Sequence, residues 1–196
     1  MDIAIIKYNA GNIQSVLYAL DRIGATAVVT DDVEAIRSAD RVIFPGVGEA
    51  SSAMTYLRAR GLDHVIRDLS QPVLGICLGM QLMCRHSEEN DTECLGIFDE
   101  DVRRFDAAGA DFKIPQIGWN TIQQLKGDIF AGVLESSYCY FVHSYHASLG
   151  PHTIAVTDYI QPYSSALQKN NFTGVQFHPE KSAVVGERIL RNFLSR

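Results

Sequence analysis

Cys77 is the residue of this sequence best placed for nucleophilic chemistry. It lies in GICLG, between Gly75 and Gly79, where the apolar run PVLGIC changes into the helix-like pattern LGMQLM. Glycines on both sides permit a tight turn from a strand into a helix, which lifts the central side chain clear of the sheet. Free N–H groups at the start of that helix favour the thiolate. The pattern predicts a cysteine nucleophile; a small buried cysteine packed between glycines is the alternative.

His178 is the candidate general base for that thiol. It ends an apolar run in VQFHPEKS and is followed by Pro179 and Glu180. Pro179 favours an extended conformation for the residue before it and ends the strand. Residues two apart on an extended chain point to the same side, so Glu180 can orient the imidazole of His178. A surface histidine near a carboxylate is the simpler reading of this motif alone, but the framed cysteine favours a Cys–His–Glu triad.

Gly46 and Gly48 form a third candidate loop, in FPGVGEASSAM. Glycines let the backbone approach a ligand and direct N–H groups at a developing oxyanion. A phosphate-binding loop is the alternative, but the G-x-x-x-x-G-K-[ST] pattern and its lysine are absent from the sequence. An ordinary glycine turn also remains open.

The remaining histidines and cysteines predict no metal site. His143 and His146 would face opposite sides of a strand, with polar roles near the edge of the site. The spacing of the cysteines gives no zinc pattern. Cys84 is expected on the helix that follows Cys77, two turns on and facing the core. Three further histidines lie in polar surroundings and are expected to be solvated: His64, His86 and His152.

The three candidate loops follow predicted strands that end at Phe44, Ile76 and Phe177. Strand and helix patterns alternate through the first half of the chain, which predicts an α/β, flavodoxin-like open sheet, mostly parallel, with helices on both faces. The second half is richer in β-type segments and adds antiparallel strands. A closing helix follows, with Ser182 as its N-cap. Because the carboxyl ends of parallel strands meet at one edge, the loops are expected to converge there.

Composition indicates a soluble protein of one domain. The 196 residues include 17 basic and 23 acidic side chains, a formal net charge of −6, which argues against binding to nucleic acid or an anionic membrane. No apolar run is long enough to span a bilayer. The start, MDIAIIKYNAGN, reads as a buried strand rather than a signal peptide. We therefore expect a cytoplasmic location with reduced cysteines.

Together, the motifs resemble those of the class I, triad-type glutamine amidotransferases. The resemblance rests on GICLGMQ, QFHPEKS and PGVG, and extends through KYNAGNIQSV, PQIGWN and YFVHSYH over essentially the whole chain. Met80 and the HPEKS segment are most similar to the glutaminase subunits of histidine biosynthesis. The resemblance implies a single amidotransferase domain over residues 1–196 and no cofactor.

The resemblance also implies roles for individual residues. Cys77 would be the nucleophile, His178 the general base and acid, and Glu180 the orienting carboxylate. The backbone of three residues would form the oxyanion hole: Val47, Gly48 and Leu78. Four residues would hold the substrate glutamine: Gly46, Gln81, Ser144 and Tyr145.

The implied reaction is hydrolysis of glutamine to glutamate and ammonia through a cysteinyl thioester. Ammonia would pass to a (β/α)8 cyclase/synthase subunit in a heterodimer, which makes imidazole glycerol phosphate and aminoimidazole carboxamide ribotide. Four residues would face that partner: Asn12, Pro115, Trp119 and Tyr140. The alternatives are a paralogous glutaminase of another pathway, a cysteine hydrolase on a related fold, and a catalytically silent partner-binding module. An intact Cys–His–Glu set argues against the silent module.

Overall fold

The structure, a computed structural model, describes residues 1–9, 11–107 and 112–195. These residues form thirteen strands: β1 (Ile3–Ile6), β2 (Val28–Thr30), β3 (Arg41–Gly46), β4 (Val73–Cys77), β5 (His86–Ser87), β6 (Thr92–Glu93), β7 (Asp101–Arg104), β8 (Gln116–Ile122), β9 (Ser137–His143), β10 (Tyr145–Ala147), β11 (Thr153–Tyr159), β12 (Gln161–Lys169) and β13 (Phe172–Val175). The α-helices are α1 (Ile13–Arg22), α2 (Val33–Ser38), α3 (Ala50–Ala59), α4 (Leu62–Arg67), α5 (Leu78–Met83) and α6 (Ala183–Leu194). Short 3₁₀ turns cover Asp128–Phe130 and Pro179–Lys181.

One large sheet organises the fold. Its first part runs β2-β1-β3-β4-β13, and every neighbouring pair in it is parallel. Strands β12, β10, β7, β5 and β6 continue the sheet, mostly through antiparallel pairs, and β11 pairs with β12. The predicted open sheet with extra antiparallel strands in the second half is confirmed. Strands β8 and β9 form a separate two-stranded antiparallel sheet, which the sequence did not distinguish.

Helices cover both faces of the sheet, as predicted. Alternate side chains of β1 show the division: Ile3 and Ile5 pack with α1 and α6, whereas Ala4 and Ile6 pack with α2 to α5. This division follows from the alternation of side chains along a strand. Each fully buried isoleucine stabilises the fold by about 2 kcal/mol relative to an exposed one. The two cores therefore hold the parallel strands, and the loops at their ends, between two helical layers.

The short helix α5 lies directly on β3 and β4. A Cβ atom at Gly79 would overlap the carbonyl oxygen of Phe44, and one at Gly75 would overlap the side chain of Met83. Both glycines around Cys77 are therefore required by close contact between helix and sheet. Because α5 ends at Met83, Cys84 follows the helix in an extended conformation. Cys84 is buried, but the expected position two turns along the helix is wrong.

Ser182 precedes α6 but does not cap it, contrary to the prediction. Its hydroxyl donates to the carbonyl oxygen of His178 at 2.7 Å and accepts from the backbone N–H of Tyr140 at 3.0 Å. The backbone N–H of His178 also donates to the carbonyl oxygen of Tyr140, at 2.9 Å. These bonds fasten the loop that carries His178 to β9.

Within the described ranges, none of the helices is both long and apolar enough to cross a membrane.

Candidate active site

Cys77 stands at the turn between β4 and α5 in a strained backbone conformation. Its φ is 53° and its ψ is −110°, a combination that costs a residue with a side chain about 1–3 kcal/mol. The strain persists because β4 is paired in register on both sides, with Gly46 of β3 opposite Cys77 and Val175 of β13 opposite Ile76. Such a turn presents the sulfur at the carboxyl edge of the sheet.

His178 and Glu180 lie beside this turn because β13 runs parallel to β4. The Nδ1 atom of His178 is 2.8 Å from Oε1 of Glu180, and both side chains are buried. A carboxylate can only accept, so Nδ1 carries the proton and donates it to Glu180. Nε2 is then the nitrogen available to Cys77; it is buried and, among the described residues, has no hydrogen bond of ordinary geometry.

The charge balance around His178 favours the imidazolium. Burial lowers its pKa, but the adjacent Cys77 and Glu180 outweigh burial and raise the pKa to about 10. A protonated imidazole beside a thiolate is the reactive state of a cysteine nucleophile, since the sulfur is charged and the histidine holds a proton for the leaving group.

Both ends of α1 contact Glu180. The side-chain amide of Asn12 donates to Oε1 of Glu180 at 2.5 Å, and the guanidinium of Arg22 donates to its carbonyl oxygen at 3.3 Å. The sequence placed Asn12 only on the partner-facing surface. Its contact with the triad carboxylate was missed because 168 residues separate the two.

Cys77 lines a cavity of about 260 Å³, together with residues of four other segments. The wall is formed by Val47, Gly48, Cys77, Leu78, Gln81, Glu89, Pro115, Val142, His143, Ser144 and Tyr145. It therefore includes all three predicted oxyanion residues and three of the four residues predicted to hold glutamine. The fourth, Gly46, lies at the end of β3, where a Cβ atom would overlap the hydroxyl of Tyr8.

Comparison with known proteins identifies the family. The family model described as glutamine amidotransferase class-I matches residues 4–196. The chain belongs to the class-I glutamine amidotransferases. It is 59% identical to the imidazole glycerol phosphate synthase subunit HisH of Bacteroides fragilis and 57% identical to that of Bacteroides thetaiotaomicron; each match covers 99% of both chains. The protein of the same name from Haemophilus influenzae is 43% identical, over 100% of this chain and 98% of the relative.

Solved structures support the same fold. The crystal structure of a glutamine amidotransferase superposes with a TM-score of 0.74 at 19% identity, covering 98% of this chain and 97% of the other. A glutamine amidotransferase from Thermotoga maritima gives a TM-score of 0.63 at 15% identity, covering 99% and 82%. The architecture of this amidotransferase is therefore shared with proteins of low sequence identity.

The predicted partner-facing residues of the amidotransferase fall into two groups. Asn12 lies beside Glu180, whereas Pro115, Trp119 and Tyr140 lie on or next to the β8–β9 sheet. Trp119 is 53% exposed, and its ring meets that of Tyr140 at 5.9 Å between centroids. Tyr140 is half-buried, and aromatic residues such as these two are enriched at protein interfaces.

Glu89 is a site residue that sequence reasoning missed. Its carboxylate lines the cavity and accepts from the backbone N–H of Ala50, at the start of α3, at 2.7 Å. Burial raises the pKa of Glu89, the hydrogen bond from Ala50 opposes the rise, and Glu49 adds to it. The acidic SEE segment after the nucleophile helix was the available signal, but sequence spacing cannot show that it folds back over Cys77.

His143 and His146 lie on the same side of the local backbone, so the expectation that they face opposite sides is wrong. Both pack on Phe105, with ring centroids 5.3 Å and 4.3 Å away. The reason is that β9 ends at His143 and β10 begins at Tyr145, which breaks the alternation at Ser144.

The expected solvation of His152 is also wrong: its Nδ1 is 3.0 Å from buried Glu100.

His143 is held neutral in the wall of the cavity. Its Nδ1 donates to the carbonyl oxygen of Tyr145 at 2.7 Å. Its Nε2 lies 3.2 Å from the hydroxyl of Tyr163, which donates to Oε1 of Gln116 at 3.0 Å. Burial lowers the pKa of His143 to about 3, partly opposed by the bond to Tyr145. A fixed neutral imidazole thus supports the Ser144–Tyr145 segment through the hydrogen bond to the Tyr145 carbonyl oxygen.

In the described residues, no group of His, Cys, Asp and Glu side chains is arranged to hold a metal ion.

We predict that His143 makes the fold sensitive to mild acid. An unfolded histidine takes up a proton near pH 6.5, whereas folded His143 does so only near pH 3. The unfolded state therefore binds more protons between these values, and stability falls with decreasing pH by about 1.4 kcal/mol per unit for this group. The free energy of unfolding, measured with urea from pH 7 to 4, should decline less steeply with falling pH for His143→Gln than for the wild type. Parallel declines in the two proteins would contradict this origin.

Proposed function

We propose that this chain is the glutaminase subunit of imidazole glycerol phosphate synthase, in histidine biosynthesis. The observation that carries the proposal is the Cys77, His178 and Glu180 constellation beside a cavity, in a chain 57–59% identical over its length to subunits of that synthase. On this proposal, residues 1–196 form one amidotransferase domain, in agreement with a family match over residues 4–196.

Cys77 begins the reaction as the thiolate. Its sulfur attacks the side-chain carboxamide carbon of glutamine and forms a tetrahedral intermediate with a negative oxygen. Val47, Gly48 and Leu78 line the cavity with Cys77, and their backbone N–H groups are the proposed donors to that oxygen. One such donor is worth about 3 kcal/mol of barrier.

His178 completes the chemistry by transferring protons. Its Nε2 proton goes to the leaving nitrogen as the carbon–nitrogen bond breaks, giving ammonia and a glutamyl thioester on Cys77. The neutral Nε2 then takes a proton from water, whose oxygen attacks the thioester and releases glutamate and the thiolate. Glu180 holds the required tautomer through its bond to Nδ1 and stabilises the imidazolium.

The cavity also offers polar groups for the amino-acid end of glutamine. Glu89 supplies a carboxylate for the α-ammonium group, and Ser144 and Tyr145 line the same cavity. The amide nitrogen of Gln81 donates both of its hydrogens inside the protein, to Tyr145 and Gln176 at 2.8 Å and 2.9 Å. Only the side-chain carbonyl oxygen of Gln81 is therefore left to contact the substrate.

The ammonia is passed to a (β/α)8 cyclase subunit with which this chain forms a heterodimer. The proposed docking surface joins Pro115, Trp119 and Tyr140, and Asn12 would link it to Glu180. The four cysteines are free thiols, which fits a reducing compartment such as the cytoplasm.

Replacing Cys77 tests the function of the complex. Cys77→Ser, assembled with the cyclase, should lose glutamine-dependent synthesis by roughly a thousandfold or more, yet retain synthesis from ammonium salts, because the cyclase uses ammonia directly. Assays with each nitrogen source decide this, and Cys84→Ala is the matched control that should keep glutamine use. Wild-type chain that neither binds the cyclase nor hydrolyses glutamine faster in its presence would contradict the proposal and favour a paralogous pathway.

Replacing Glu89 tests recognition of the α-ammonium group. Glu89→Gln keeps an oxygen for the Ala50 N–H but removes the charge, so the KM for glutamine should rise about tenfold or more with little change in kcat. Glu88→Gln, at an exposed neighbouring carboxylate, is the control and should leave KM unchanged. Equal KM values for the two variants would exclude this role for Glu89.

A further inference from the structure

Gln176 is a fully buried amide next to the nucleophile that the mechanism above does not use. It follows the last residue of β13 and is anchored by its backbone N–H, which donates to the carbonyl oxygen of Ser165 at 2.9 Å. It lies two residues before His178, and the parallel register of β13 with β4 brings both side chains to Cys77. A buried amide needs partners for both its oxygen and its nitrogen.

The orientation of this amide is set by its neighbours. The carbonyl oxygen of Tyr145 can only accept, so the group of Gln81 that meets it at 2.8 Å must be the nitrogen. The same nitrogen lies 2.9 Å from Gln176, which must therefore present its oxygen to Gln81. That leaves the nitrogen of Gln176 directed at Sγ of Cys77, 3.7 Å away.

We infer that Gln176 is a further catalytic residue, whose side-chain N–H donates to the Cys77 thiolate and ties the sulfur to Gln81 in the glutamine cavity. The inference rests on the function proposed for this site. Sγ also lies 3.8 Å from the carbonyl oxygen of Val142, which can accept from a neutral thiol but repels a thiolate. Gln176 therefore favours the charged form, because a hydrogen bond to an anion is stronger than one to a neutral group.

The same amide links the substrate site to the nucleophile. Tyr145 and Gln81 line the cavity, and the chain of bonds from Tyr145 through Gln81 and Gln176 ends at the sulfur. A substrate that fixes Gln81 thereby fixes the direction in which Gln176 holds Sγ. Correct aim of the sulfur at the carboxamide is a large part of the rate of such an attack.

The test compares Gln176→Met, which keeps the length of the side chain and removes the donor, with the exposed control Gln123→Met. Alkylation of Cys77 by iodoacetamide is followed from pH 5 to 9 by mass spectrometry, and kcat and KM are measured for the complex with the cyclase. Besides His178, the ionisable groups near Cys77 include Tyr8 and Tyr163, and Glu89 and His143 line the same cavity. Burial raises the pKa of both tyrosines and lowers that of His143 to about 3, so these three groups stay neutral over this range. Glu89 is the same in both variants and the wild type, so the comparison between them removes its contribution.

For Gln176→Met, the midpoint of alkylation should move to higher pH by about one unit and kcat should fall about tenfold, with a smaller change in KM. The control should match the wild type. A folded Gln176→Met protein with unchanged alkylation and kcat would overturn the inference. Alkylation does not require glutamine turnover, so a wild-type complex that fails to cleave glutamine would refute the proposed function without deciding the role of Gln176.

A measurement on the wild-type chain covers the case in which Gln176→Met does not fold. The side-chain amide proton resonance of Gln176 should move with the ionisation of Cys77 and lose that dependence after alkylation. A Gln176 amide signal that is insensitive to both would overturn the inference.

Discussion

The in-register parallel pairing of β4 with β13 is the constraint on which the active site depends. It sets Val175 opposite Ile76, so Cys77 at the end of β4 meets Gln176 and His178, which follow β13, at the same edge. Side chains alternate along a strand, so a shift of one residue would turn Gln176 and His178 away from the sulfur together. Packing on both faces of the sheet resists such a shift, so the two hydrophobic cores maintain the register that the site requires.

The backbone strain of the site lies at Cys77, and many contacts of the surrounding strands and helix together hold that conformation. The backbone conformation of Cys77 costs about 1–3 kcal/mol of strain. It cannot relax, because β3 pairs with β4 in register and α5 contacts the backbone of Phe44 closely at Gly79. On the proposed mechanism, the turn that strains the backbone also places the sulfur at the cavity, where it can attack the substrate. Around it, Glu180 is fixed by α1 and His178 by the Ser182 hydroxyl, so each reacting group is oriented before substrate arrives.

The sequence was sufficient to predict what depends on local pattern. GICLG predicted the tight strand-to-helix turn, HPE predicted the histidine–carboxylate pair, and strand–helix alternation predicted the sheet that brings them together. It could not predict which other side chains reach the site through tertiary contacts. Glu89 reaches the cavity from the loop after β5, and Gln176 contacts Cys77 across 99 residues of sequence. The predicted Ser182 cap failed because the hydroxyl donates to the carbonyl oxygen of His178, four residues earlier, and accepts from the backbone N–H of Tyr140, 42 residues away.

The most direct measurement of the central claim is the site of covalent modification by a diazoketone analogue of glutamine. The geometry predicts one adduct, on Cys77, that forms with the complex and is slowed by competing glutamine. Among the cysteines that the structure describes, Cys77 is the one that both lines the proposed glutamine cavity and has an adjacent imidazole. Peptide mapping by mass spectrometry locates it. An adduct on Cys84, Cys94 or Cys139, or labelling that glutamine does not slow, would contradict the account.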